Sequence, residues 1–267
     1  MKRHALTDAQ WERLRPLLPP PPTGRGRPRK DDRTIIDGVL WHLATGAPWR
    51  DLPERFGPWR TVYSRFRRWH QAGVWDRAFA ALLAAGDARG EFDWALHFID
   101  GTVVRAHQHA AGAKKGGGDQ ALGRSRGGFS TKAHLRAEGG GKPVAGVLTG
   151  GQRHEQTAVP ALLDQGAVRR PGRGRPRLRP ERLAGDKGYS SRKARDELRR
   201  RGIAPVIPRK ANERRDARFD REAYRARNRI ERLINRLKQH RAIATRYDKL
   251  GEHYRALLVI AFILLWL

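Results

Sequence analysis

Residues 96–104 read Leu-His-Phe-Ile-Asp-Gly-Thr-Val-Val, and the fold turns on how this stretch is understood. Its β-branched and aromatic residues predict a strand, with one acid, Asp100, in the middle and a glycine directly after it. The same texture returns at 129–137 and 143–148. A long glycine- and lysine-containing loop, 107–128, lies between the first two. Further on, helical periodicity at 157–164 and 190–201 alternates with strand signals that end at Ala184-Gly185-Asp186 and cover 203–207. Two helices, 219–240 and 253–267, finish the chain. Three early strands followed by strands alternating with helices predict an α/β fold built on a mixed sheet.

Upstream of this region the chain reads as helical. Thr7 and Gln10 form a capping box that opens a helix through Trp11, Leu14 and Leu18, and the prolines at 19–22 end it. After a basic tether at 24–30, a second helix over 31–44 carries Ile35, Ile36, Val39, Leu40 and Leu43 at helical spacing. A third helix, 58–71, buries Val62, Phe66 and Trp69. That leaves Arg60, Ser64, Arg65, Arg67 and Arg68 outward, as a helix-turn-helix needs for a major groove. An ordinary amphipathic helix with a solvated basic face is the alternative. A fourth helix, 74–85, and a linker at 86–90 complete the expected division: a helical DNA-binding domain over 1–86 and an α/β domain over 87–267.

Charge narrows the function. Lys and Arg number 56 against 27 Asp and Glu, a formal net charge of +29. So large a surplus repels itself unless it meets a polyanion, and nucleic acid is the usual one. The absence of cysteine excludes disulfides, thiolate zinc sites and cysteine nucleophiles. The opening MKRHALTDAQ carries no secretory signal. The longest apolar run, Ala256 to Leu267, falls short of the roughly 20 residues a membrane span takes, so it predicts a buried helix. These features predict a cytoplasmic, nucleoid-associated protein with no membrane partner. The tetrapeptide Arg-Gly-Arg-Pro occurs at 25–28 and 173–176. It fits either an extended minor-groove contact or a flexible linker.

In the penultimate helix, Tyr224, Arg227, Glu231 and Lys238 fall within about 60° of one another on a helical wheel. Ile230, Leu233, Ile234 and Leu237 fill the flank beside them. One edge of the helix therefore packs on the core while a Tyr-Arg-Glu-Lys stripe faces something polar. A lone Glu among arginines is otherwise an ordinary surface ion pair.

The spacing Y-x2-R-x3-E-x6-K resembles the signature around the third acid of DDE transposases of the insertion-sequence-four and insertion-sequence-five families. The likeness extends over most of the chain. It covers LTDAQWERLRPLLP at 6–19, GRPRKDDRTIIDGVLW at 26–41, TGAPWRDLPERFGPW at 45–59 and TVYSRFRRW at 61–69. It continues with FIDGTVVRAH at 98–107, STKAH at 130–134, AGDKGY at 184–189 and NRIERLINRLKQHRAIATRYDK at 228–249. The resemblance implies an RNase H-like mixed sheet whose three acids are Asp100, Asp186 and Glu231. It also implies two divalent ions, Mg²⁺ or Mn²⁺, held by those acids, and phosphate contacts from Tyr224, Arg227 and Lys238. Implied partners are double-stranded DNA (element ends and target) and further copies of the chain on that DNA. The implied activity is cleavage at the element ends and transfer of the freed 3′-OH to target DNA. Lys132, His134 and Lys187 lie in matched blocks without assigned roles, and Glu155 is a further acid of interest. A nuclease with the same three acids and a DNA-binding repressor descended from a transposase are the competing readings.

Overall fold

The computed structural model describes residues 4–20, 30–112, 119–125, 127–170, 172, 174–213 and 219–267. Residues 24–29 of the basic tether, with the first Arg-Gly-Arg-Pro copy, lie outside this set, as does Arg173 of the second copy.

Helix α1 (Asp8–Leu14) starts at the expected capping box, with Thr7 and Gln10 exchanging hydrogen bonds. Helix α2 (Asp32–Thr45) is N-capped by the Asp31 side chain. It stops at Gly46, whose φ of 64° is a left-handed cap that glycine adopts without strain. Helices α3 (Trp59–Gln71) and α4 (Val74–Ala88) follow, turning on Gly73 at φ 66°. Helix α4 runs through 86–88, where a linker was expected, because its apolar face continues onto the C-terminal helix. Gly86 lies directly against the Trp266 indole there, with no room for a Cβ.

Strand β1 (Leu96–Ala106) is the axis of the sheet, followed by β2 (Gly123–Ser125), β3 (Gly128–Ala137) and β4 (Pro143–Gly150). Helix α5 (Val159–Asp164), strand β5 (Arg182–Ala184), helix α6 (Arg192–Arg200) and strand β6 (Ala204–Val206) come next. Strands β1, β3 and β4 pair antiparallel, Asp100 opposite Leu135 and Leu135 opposite Gly146. On the other edge β1, β5 and β6 run parallel, Phe98 beside Ala184 and Ala184 beside Val206. The central path β4-β3-β1-β5-β6 has an antiparallel hairpin half and a parallel crossover half. This is the RNase H-like order, and the expected mixed α/β fold is what forms.

The expected helix over 219–240 is two helices, α7 (Arg221–Arg225) and α8 (Asn228–Lys238), joined by a tightened turn at 226–230 with i→i−3 hydrogen bonds. Helix α9 (Arg241–Ala244) and strand β7 (Thr245–Arg246), which pairs with the end of β1, lead to helix α10 (Gly251–Trp266). Helix α10 is apolar nearly all round and buried nearly all round. Its Leu257, Ile260 and Phe262 share one core with Ile35, Val62 and Leu83 of the N-terminal helices and with Phe98, Val104 and Leu135 of the sheet. The opposite sheet face has its own core, where Ile99, Leu162, Leu183 and Leu198 meet. No helix among the described residues is long and apolar enough to cross a membrane.

The arginine-rich segment before β5 is pinned along its described length. Val168 and Arg177 bridge, Arg177 covers the Trp94 ring at 4.5 Å, and buried Arg136 donates to the Gln165 carbonyl at 2.6 Å.

Candidate active site

Parallel pairing places the two aspartates. Phe98 is level with Ala184, so Asp100 and Asp186 each stand two residues further along neighbouring strands. Asp186 caps the short turn Lys187–Tyr189, its Oδ1 accepting the Gly188 amide at 2.8 Å. Asp100 Oδ1 accepts the Gly101 amide at 2.8 Å, and its Oδ2 accepts Arg227 Nη1 at 2.9 Å. Burial pushes the Asp100 carboxyl up to about 6. Arg227 and the Gly101 amide oppose that rise, and the charges of Asp186 and Glu155 add to it.

Helix α8, packed over β1 and β3, brings Glu231 to the sheet face on which Asp100 lies. Its carboxylate is turned to Arg227, whose second terminal nitrogen it accepts. One planar guanidinium thus joins Glu231 to Asp100. Burial works against the charge on Arg227, but Asp100 and Glu231 outweigh it and strengthen its hold on the proton. The Tyr224 ring lies 5.9 Å from the Arg227 guanidinium. Lys238 stands two turns beyond Glu231, Nζ 3.5 Å from the Val103 carbonyl of β1. The break between α7 and α8 therefore leaves the predicted stripe assembled over β1.

Sequence reading expected all three carboxylates to converge. Among the described residues, no three carboxylate or imidazole groups stand close enough to hold one metal ion as they lie. Asp100 and Asp186 are neighbours, whereas the Arg227 fork draws the Glu231 carboxylate to itself. Two further residues enter the site. Glu155 lies against Gly101 and Gly188, and the Tyr189 hydroxyl is fully buried. Burial, then the charges of Glu155, Asp100 and Asp186, hold that hydroxyl protonated well above its usual range. Only the AGDKGY block signalled Tyr189 in the sequence, and nothing there told which way it faces.

The predicted DNA-facing helix needs one correction. On α3, Arg60, Ser64, Arg67 and Arg68 are exposed as expected, but Arg65 is only 7% exposed. It is ion-paired with Asp32 at the start of α2 and lies over the Trp69 ring at 5.5 Å. Helical geometry sets it at the edge of the apolar stripe, where its stem is covered and its head meets a carboxylate.

Comparison with known proteins agrees with this architecture. Residues 96–267 match the family "Transposase DDE domain", and residues 6–79 match a family of IS4/5-type transposases (DUF4096). The uncharacterized protein y4sN of Sinorhizobium fredii is 42% identical over 113 residues, 42% of this chain and 86% of that one. An uncharacterized 16.2 kDa protein of insertion element IS402 from Burkholderia cepacia is 38% identical over 112 residues, 40% of this chain and 76% of that one. The Mos1 transposase in its paired-end complex with the left transposon end aligns over 83% of this chain and 82% of its own. The identity there is 11% and the TM-score 0.25. The DDE match spans the whole sheet, both aspartates and Glu231, and on that ground the chain belongs to the DDE transposase family, in its IS4/5 group.

Proposed function

We propose that this transposase cleaves DNA at the ends of its insertion sequence and joins the freed 3′-OH to target DNA, with Asp100, Asp186 and Glu231 as its catalytic acids. The observation that carries this reading is Asp100 on β1 beside Asp186, which follows the end of the parallel strand β5, with Asp100 tied to Glu231 through Arg227. The acids form a hard-oxygen donor set of the kind Mg²⁺ and Mn²⁺ take. Gly101 and Gly188 carry no side chains and so leave room beside the aspartates for the Glu155 carboxylate, and the buried Tyr189 hydroxyl has no hydrogen-bond partner among the described residues. The residues therefore fit a divalent site, with Asp100 and Asp186 as its base and Glu231 as its third donor. Asp100, Asp186 and Glu231 would hold such cations, which would supply a water nucleophile at neutral pH and charge neutralisation at the phosphoryl group.

Arg227 is a fork suited to a phosphate as much as to a carboxylate, and DNA entering the site exchanges one for the other. Lys238, over the far end of β1, holds a phosphate further along the strand. Tyr224 backs Arg227 with its ring. We assign residues 1–86 to recognition of element ends, through Arg60, Ser64, Arg67 and Arg68, and 87–267 to catalysis. Because the two parts share a core, recognition and cutting are held in fixed relation. Double-stranded DNA is the partner, more than one protomer assembles on paired ends, and the working compartment is the cytoplasm, on the nucleoid.

The test scores cleavage and joining separately, on duplexes carrying the inverted repeats that flank the reading frame. Asp100→Asn, Asp186→Asn and Glu231→Gln should each lose both steps and keep end binding. Wild-type activity in Glu231→Gln removes Glu231 from the site. Cleavage without joining in the wild type makes the protein a nuclease.

A further inference from the structure

We propose that Glu155 is an additional carboxylate of the acid centre, entering from the sheet face opposite Glu231 and joining Asp100 and Asp186 in cation binding through side-chain movements that draw the three together from the places they hold here. The proposal rests on the metal reading of those two aspartates given above.

Side chains alternate along β1, so Phe98 and Asp100 face the core beneath α8 and α10, while Ile99 and the Gly101 position face the core beneath α5. Glu155 opens the short turn that leads into α5, which puts it on that second side. It reaches the acids because two glycines make room. A Cβ on Gly101 would stand 3.3 Å from both Cγ and Oε1 of Glu155. A Cβ on Gly188 would stand 2.9 Å from Asp186 Oδ1 and closer still to Glu155 Oε2. Both glycines thus border the same carboxylate, one directly after Asp100 and one two residues after Asp186, and the second lies beside both a Glu155 and an Asp186 oxygen.

A buried polar group with no partner marks the same place. Tyr189 is 0% exposed, its hydroxyl has no hydrogen-bond partner among the described residues, and the charges acting on it come first from Glu155, then from Asp100 and Asp186. A buried hydroxyl of this kind calls for an acceptor or a ligand-borne oxygen. Among the described residues Glu155 is ion-paired with Lys132, whose Nζ is 3.6 Å from Oε1 and also donates to the Arg153 carbonyl at 3.0 Å. That contact is loose enough to yield to a divalent cation.

The alternative is a structural ion pair that fastens the 150–158 turn to β3. Calorimetric titration of the full chain with Mn²⁺ alone separates the two. Asp100→Asn and Asp186→Asn should weaken binding, and Glu155→Gln should weaken it by about tenfold or more, as loss of a ligand or its close support does. Lys132→Met should leave Mn²⁺ affinity equal or higher, since it removes a competing cation. The surface variant Asp196→Asn should bind as the wild type does. If Glu155→Gln stays within about twofold of wild type while both aspartate variants lose binding, Glu155 is not part of the centre. Equal weakening by Lys132→Met and Glu155→Gln overturns the proposal in favour of the ion pair. Unchanged binding in all three acid variants removes the metal site itself.

Discussion

Arg227 donates from Nη1 to Asp100 Oδ2 at 2.9 Å, bridging 127 residues of sequence, while its other terminal nitrogen serves Glu231. This one side chain ties the helix that carries Glu231 to the strand that carries Asp100. Both charges are largely sheltered, with side-chain exposures of 16% and 15%. The pair therefore matters for the fold as well as for the chemistry.

Asp100 provides a pH-dependent test. Its folded value of about 6 lies above the ordinary 3.8, so the folded chain binds this proton more tightly than the unfolded chain. The corresponding stability is fully present below about pH 4 and is lost as the pH rises through about 6. Asp100→Asn mimics the protonated acid. In chelator-treated buffer it should raise stability at pH 8 by on the order of 1–3 kcal/mol and change little near pH 4. Melting curves across that range decide it, and an equal effect at both ends would sink the idea.

On α3, burial sorts the arginines into two kinds. Arg65→Ala strips a covered stem from Trp69 and a partner from Asp32, and should cost about 2–4 kcal/mol of stability. Arg67→Ala and Arg68→Ala should stay within about 0.5 kcal/mol of wild type. Each should instead flatten the salt dependence of DNA binding by about one unit of slope. Thermal melts paired with binding at several salt concentrations check both halves. Unaltered salt dependence in both surface variants would remove α3 from the DNA interface.

The junction of helical region and sheet can be probed at one glycine. Gly86 gives its side-chain space to the Trp266 indole, whose Nε1 donates to the Pro143 carbonyl at 2.8 Å. Gly86→Ala should therefore destabilise by about 1–3 kcal/mol, although alanine is the better helix former. Were 86–90 a free linker, the same change would leave the melting temperature unmoved or raise it.

Much of the fold was legible because local patterns govern it. The capping box at Thr7, the β-branched runs at 96–104 and 129–137, and the apolar stripe of α3 all formed where periodicity placed them. The break at 226–230 was not legible, since residues on both sides keep a helical period and the i→i−3 turn leaves no mark in it. Arg65 was misjudged for a related reason. A helical wheel gives direction, but whether a neighbouring helix covers that direction depends on Asp32 and α2.

The sequence by itself determined the basic character and the mixed α/β order, because charge and strand texture are local properties, and its resemblance to a known family pointed to Asp100, Asp186 and Glu231 as candidate acids. Tertiary structure alone decided that Arg227 stands between Asp100 and Glu231, and that Glu155 and Asp186 both border Gly188. It also decided that α10 closes one core over both parts of the chain. Those relations join residues far apart in sequence, and they exist only once strand pairing and helix packing have set which side chains face one another.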